Sequence, residues 1–298
     1  MASGMNVLDQ AAGEGWALYN ADCVTFARGL PEGSVGFSVY SPPFANLYVY
    51  SDSALDMGNC SGIDEFVEQY RFIVEQVYRA TAPGRLSAVH CMDIPLFKWK
   101  DGEIALSDFP GRIIAAHRDA GFAFHSRVTI WKDPVVEMQR TKALGLLYKQ
   151  LQKDSAMSRQ GLPDYLVVFR KPGENARPIA HDPAGFPVSQ WQEWASPVWT
   201  TVRQTRVLDV AGARAAEDEK HVCPLQLDVI ERAIRLWSNP GDVVFSPFAG
   251  IGSEGWAAVR LGRRFVGTEL KPQYFRQAVR HLAAAAAEGP ALFDGNAA

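Results

Sequence analysis

The chain has little cysteine, no long apolar run and no surplus of positive charge, and each shortage narrows what it can be. Four cysteines in 298 residues, Cys23, Cys60, Cys91 and Cys223, show neither the close pairing of a zinc site nor the density of a disulfide scaffold. The expectation is free buried thiols and no metal. Apolar stretches such as Leu282 to Ala287 fall far short of the ~20 residues that cross a bilayer. Residues 1 to 15 lack the basic start of a signal peptide, so the expected protein is soluble, cytoplasmic and free of membrane. The complete Gly-x-Gly-x-x-Gly fingerprint is also missing, which disfavours a dinucleotide oxidoreductase. A net charge of −3 lacks the basic excess usual in proteins that neutralise phosphates.

That last shortage is uneven along the chain. Between Arg127 and Arg177 ten lysines or arginines face five acids, a local net charge of +5. A solvated helix face would account for it; so would a nucleic-acid surface. The hydrophobic fraction of 47% suffices for one large core, and length permits a domain carrying an insertion.

Residues 34–40 read as a buried strand stopped by Ser41-Pro42-Pro43-Phe44, where two prolines end pairing and hold the backbone extended. Apolar residues at helical spacing predict a helix over Ile63–Ala80, followed by a strand at Leu86–Met92 and a helix at Ile113–Ala120. Strands at Arg127–Trp131 and Tyr165–Phe169 bracket the basic stretch, with helix predicted over Val135–Leu151 and a loop over Lys153–Gly161. Residues 171–219, rich in proline and carrying Trp191, Trp194 and Trp199, read as a non-sheet region, the tryptophans serving as core or interface. Alternation resumes with a helix at Leu225–Trp237, strand Asp242–Phe245, helix Ser253–Leu261, strand Arg264–Thr268 and helix Pro272–Ala287. The pattern predicts an α/β fold with a mostly parallel sheet and crossover helices.

Two places carry chemistry. The segment Val243 to Ser253 is a buried strand, a tight turn through Gly250 and Gly252, and a helix start, so backbone can approach a ligand closely. About 20 residues on, at the next strand's end, Glu269 stands where Rossmann-type sites place an acid for ribose hydroxyls. Together these favour a nucleoside cofactor over a packing turn beside a surface glutamate. At the other place, Ser41-Pro42-Pro43 fixes two acceptors, the Ser41 hydroxyl and a backbone carbonyl, able to take both hydrogens of one amino group, and Phe44 can stack on a planar base. A proline-terminated strand is the plain alternative.

Both motifs resemble those of the DNA amino-methyltransferases, whose signature is Asp/Asn/Ser-Pro-Pro-Tyr/Phe with a Phe-x-Gly-x-Gly cofactor loop. Here these are Ser41 to Phe44 and Phe248-Ala249-Gly250-Ile251-Gly252, and their order resembles the permuted beta class. The resemblance, over residues 17 to 286, implies a Rossmann-like S-adenosylmethionine-dependent fold, double-stranded DNA as partner, base flipping and a homodimer. It implies catalytic roles for Ser41, Pro42, Pro43 and Phe44. For the cofactor it implies Asp22, Ser246, Phe248, Gly250, Gly252, Ser253 and Glu269, with Lys220 and His221 in a segment closing over the methionine end. Arg140, Lys142, Lys149, Lys153 and Arg159 are the candidates for DNA contact.

The expected organisation is a catalytic-motif half at 1–132, a basic insertion, closing strand and target-recognition region at 133–219, a cofactor half at 220–288 and a tail at 289–298. Ser41 and Ser246 both stand where many relatives have Asp, which leaves adenine N6, placed first, and cytosine N4 open as targets and leaves the cofactor's ammonium to find another partner. The further alternatives are an RNA amine methyltransferase and a non-catalytic DNA-binding module.

Overall fold

A computed structural model of the chain describes residues 7–44, 56–96, 98–141, 147–157, 161–211 and 224–290. The chain begins with a hairpin of β1 (Val7–Gly13) and β2 (Trp16–Ala21), then α1 (Cys23–Arg28), β3 (Val35–Tyr40), α2 (Ile63–Ala80) and β4 (Thr81–Cys91). Short β5 (Ile94–Pro95), α3 (Lys98–Asp101) and β6 (Leu106–Ser107) lead to α4 (Phe109–Asp119) and β7 (Ala123–Ile130). Next come α5 (Pro134–Thr141), α6 (Tyr148–Lys153), β8 (Asp164–Arg170), α7 (Val188–Trp194) and β9 (Val198–Trp199). The last units are α8 (Leu227–Trp237), β10 (Val243–Ser246), α9 (Ser253–Arg260), β11 (Arg264–Thr268) and α10 (Pro272–Glu288).

The main sheet runs β1-β2-β11-β10-β3-β4-β8-β7-β9. Its five central strands, β2, β11, β10, β3 and β4, are parallel, as the βαβ alternation predicts. Antiparallel β8 wedges between β4 and β7, and β1 pairs antiparallel at the edge. Strand residues alternate between two cores: Leu166 and Val168 of β8 pack with α8, α9 and α10, while Val167 and Phe169 pack with α1, α2 and α4. Each such fully buried apolar side chain contributes about 1.5–3 kcal/mol relative to exposure. On α2 the buried residues include Phe66, Tyr70, Ile73, Val74 and Val77, the stripe expected from their spacing.

Two expectations need correction, and one pair of strands has no expectation at all. Residues 171–219 are not wholly outside the sheet: Val198 and Trp199 form β9 against β7, a piece too short to leave a periodic signal. β7 starts at Ala123, before the apolar residues that mark it. The hairpin β1–β2 has no counterpart in the sequence reading, because β1 is almost entirely exposed and lacks alternation. Among the described residues, no helix is long and apolar enough to cross a membrane. Cys23, Cys60 and Cys91 are buried free thiols; Cys223 lies outside the described residues.

The feature that matters for function is the junction of β3 and β10. They are parallel neighbours, yet the chain leaves them in opposite directions across the sheet, β3 toward β4 and β10 toward β11. Open α/β sheets bind ligands at such a reversal, outside the carboxyl ends of the strands.

Candidate active site

Both motifs emerge at that reversal. Ser41-Pro42-Pro43-Phe44 leaves the end of β3, and Pro247 to Gly252 leaves the end of β10 beside it. Together with the β2–α1 and β11–α10 junctions they line one pocket, which includes Asp22, Ser41, Phe44, Phe248, Gly250 and Glu269.

The glycine loop after β10 is held through its backbone atoms, by itself and by β11 and α10. Ala249 N donates to Thr268 O (2.8 Å), Gly252 N to Ala249 O (2.7 Å), and His281 Nδ1 to Ile251 O (2.8 Å). Glu269 accepts from Gly250 N through Oε2 and from Lys271 N through Oε1, both at 2.8 Å. Gly250 has φ +53° with open space where a Cβ would stand, so the backbone faces the pocket unobstructed. Gly252, at φ +89°, is needed for a second reason: a Cβ there would come within 3.0 Å of Ala278 Cβ on α10.

The acceptor side is built differently. Ser41 Oγ lies 3.1 Å from His90 Nδ1, at the end of neighbouring β4. His90 Nε2 lies 3.0 Å from Asp164 Oδ2, and Lys132 Nζ lies 2.6 Å from Asp164 Oδ1, with Glu137 3.8 Å beyond it. All four groups behind Ser41 are buried. Burial alone would raise the Asp164 carboxyl, but the His90 ring and the Lys132 ammonium hold it below its usual value. An ionised Asp164 favours the proton on His90 Nε2, which leaves Nδ1 free to accept the Ser41 hydroxyl proton. The Phe44 ring stands against His90 and, edge-on, against Phe109, at centroid distances of 6.1 and 6.0 Å.

Of the residues named from sequence, Asp22, Ser41, Pro42, Pro43, Phe44, Phe248, Gly250, Ser253 and Glu269 line this one pocket. Asp22 also caps α1, accepting from Thr25 N at 2.7 Å. Ser246 is fully buried at the end of β10 and Gly252 caps α9; neither is part of the lining. Lys149 and Lys153 are exposed on α6, away from the pocket. Arg140 belongs to α5, and nothing is described of its side chain; Lys142, Arg159, Lys220 and His221 lie outside the described residues. Trp199 is buried and donates from Nε1 to Trp194 O (2.9 Å), whereas Trp191 is half exposed.

The sequence reading missed His90, Asp164 and Lys132, which converge on Ser41 only through strand pairing, and Glu254. A histidine closing a buried strand was the one available signal.

The lining also fits a cationic nucleoside cofactor. The hydroxyl Oγ of Ser253, in the lining, is buried without a hydrogen-bond partner, and the lining carries the acids Asp22, Asp56, Glu254 and Glu269. Burial pushes the Glu254 carboxyl up to about 8, with Glu269 nearby adding to the rise. The Glu269 carboxyl is pushed up to about 7 by burial, against the backbone amides it accepts from.

The profile of a family described as DNA methylase matches residues 35–280. The DNA adenine methyltransferase YhdJ of Escherichia coli (strain K12) is 28% identical over 164 residues, 54% of this chain and 53% of that protein. The matched stretch thus spans about half the length of that relative. A structure from Thermus thermophilus, described as a DNA modification methylase complexed with S-adenosyl-L-methionine, superposes with TM-score 0.64 at 22% identity, covering 89% of this chain and 91% of that one. The cytosine-N4-specific PvuII DNA methyltransferase superposes with TM-score 0.66 at 17% identity, covering 98% and 92%. At these identities the two structures establish the fold.

Proposed function

Because this chain belongs to the DNA methylase family that modifies adenine N6 or cytosine N4, we propose that it methylates the exocyclic amine of a DNA base at the Ser41 end of its pocket. The cofactor of this reading is S-adenosylmethionine, which when bound supplies an electrophilic methyl group on a cationic sulfur. Glu269 is the acceptor for its ribose hydroxyls, Asp22 the contact for its adenine, and Phe248, Gly250 and Ser253 line its path.

The rest belongs to the protein's own groups. A base turned out of the duplex, at an unstacking cost of a few kcal/mol, rests against Phe44. Its amine hydrogens point to Ser41 Oγ and a carbonyl of the Pro42-Pro43 segment, so that the nitrogen lone pair faces the cofactor side. As the nitrogen gains a bond it sheds a proton to Ser41 Oγ, while the Ser41 proton passes to His90 Nδ1. The ionised Asp164 balances the resulting imidazolium. One observation carries the reading: the buried line from Ser41 through His90 to Asp164 opens on the pocket that holds Gly250 and Glu269. A chain of acceptors behind Ser41 also favours turnover over a non-catalytic DNA-binding role.

Adenine N6 is the proposed target, by similarity to YhdJ. Ser41 in place of Asp favours cytosine N4 as the second reading. Target recognition is assigned to 133–219, where Lys149 and Lys153 offer exposed positive charge. The test is transfer of labelled methyl from S-adenosylmethionine to unmethylated genomic DNA, with nucleoside mass spectrometry. N6-methyladenine supports the first reading and N4-methylcytosine the second; incorporation into RNA alone, or none by protein that binds the cofactor, overturns both.

A further inference from the structure

Glu254 is a carboxylate in an unusual position. It lies in the first turn of α9, lines the pocket, and is only 4% exposed. The other acids of the lining are committed to backbone amides: Asp22 to Thr25 N, Asp56 to Gly58 N, and Glu269 to Gly250 N and Lys271 N. Glu254 is held only by its own backbone amide, and among the described residues no lysine or arginine pairs with it. Its charged neighbours in the pocket are Asp22, Asp56, Glu269 and Lys271, and the Lys271 ammonium sits over the Tyr274 ring at 4.7 Å. His281 of α10 is engaged with Ile251 O. Among the described residues of the lining, four acids stand against one cation, a balance that favours a positively charged ligand, and a buried carboxyl without a counter-charge keeps its proton until one arrives.

Ser246, where the resemblance leads one to expect an acid, is buried at the end of β10 and does not reach the lining. The next carboxylate along the chain therefore stands eight positions further on, in the first turn of α9. We propose that Glu254 anchors the ammonium of the cofactor's amino-acid arm, replacing the acid that is absent at 246. This rests on S-adenosylmethionine being the cofactor, and the two ideas fail separately.

The experiment is titration calorimetry on the full chain with three probes. S-adenosylhomocysteine keeps the amino-acid arm and cannot be turned over; 5′-methylthioadenosine keeps the nucleoside and lacks the arm; S-adenosylmethionine completes the set. At pH 7.0 a carboxyl raised to about 8 is mostly protonated in the free protein, and an arriving ammonium displaces that proton. Binding of S-adenosylhomocysteine therefore releases close to one proton more than binding of 5′-methylthioadenosine, read from the buffer dependence of the heat. The comparison cancels whatever Glu269 contributes, since both probes carry the ribose. Glu254→Gln abolishes the extra release and weakens S-adenosylhomocysteine on the order of 10- to 100-fold, the range of one hydrogen bond to a charged group. It leaves 5′-methylthioadenosine within about twofold, which also certifies the fold of the variant. If E254Q leaves S-adenosylhomocysteine affinity and proton release unchanged, or weakens both probes alike, the anchor is elsewhere although the cofactor assignment stands. If none of the probes binds the unaltered protein, the cofactor assignment itself falls.

Discussion

The two ends of the pocket treat charge in opposite ways. At the Ser41 end the buried groups are paired in charge: Asp164 lies between His90 and Lys132, and its carboxyl is held below the usual range. At the α9 end Glu254 and Glu269 are pushed up, to about 8 and about 7, because burial is not offset by cations. One end is preorganised and needs nothing from a ligand to keep its charges; the other is finished only when a ligand brings positive charge. A site assembled this way keeps the charges of its Ser41 end fixed and makes its α9 end responsive to a ligand.

The contrast can be broken most severely at Asp164. Asp164→Ala leaves the Lys132 ammonium buried without its partner and should cost about 3–5 kcal/mol of stability, measured by urea unfolding. A loss below about 1 kcal/mol would mean that Lys132 finds water or Glu137 instead. Next in size, Ser41→Ala should lower kcat about 10²–10³-fold, as removal of one positioned hydrogen-bonding group does elsewhere, with the affinity for S-adenosylhomocysteine unchanged. His90→Ala should follow it in direction, with the affinity for S-adenosylhomocysteine again unchanged.

The third test sharpens the difference through pH. A carboxyl raised on folding from 4.5 to about 8 contributes stability that is fully present below pH 4.5 and lost as pH rises through about 8. Asp164, depressed on folding, contributes stability present above its ordinary value and lost as pH falls. Ligand-free protein should therefore melt lower at pH 8.5 than at pH 6, with Glu254→Gln flattening the trend and melting a few degrees higher at pH 8.5. Saturating S-adenosylhomocysteine should flatten it in the unaltered chain as well. The smallest effect belongs to α6: Lys149→Ala with Lys153→Ala should reduce the salt slope of DNA binding by roughly 2 if each meets one phosphate, with cofactor binding untouched.

Sequence made some of this legible and hid the rest for physical reasons. Helix α2 announces itself because one face is buried and the period shows, and strands β10 and β11 because strands covered on both faces read as short apolar runs. β1 is an exposed edge paired by backbone alone, and β9 is two residues long, so neither has a period to find. The cofactor loop is local, and a glycine turn between strand and helix is visible within ten residues. The acceptor line is not local: Ser41 and His90 are 49 residues apart and meet because β3 and β4 pair, while Asp164 joins them because antiparallel β8 enters beside β4. Glu254 was passed over because, from sequence alone, an acid in the first turn of a helix is explained by the helix dipole.

The contact between Lys132 and Asp164 has a further meaning. These residues stand where the chain leaves β7 and where it enters β8, so the basic segment between them departs and returns through a single buried clasp. Closing a flexible loop costs only about 0.6 kcal/mol more for each doubling of its length. With both ends fixed by the clasp, the stretch between can be lengthened, shortened or exchanged for another at little cost to the catalytic frame. In evolutionary terms the fold has a socket there: the segment it carries is an interchangeable part, and Lys132 with Asp164 is the fitting that any replacement must keep.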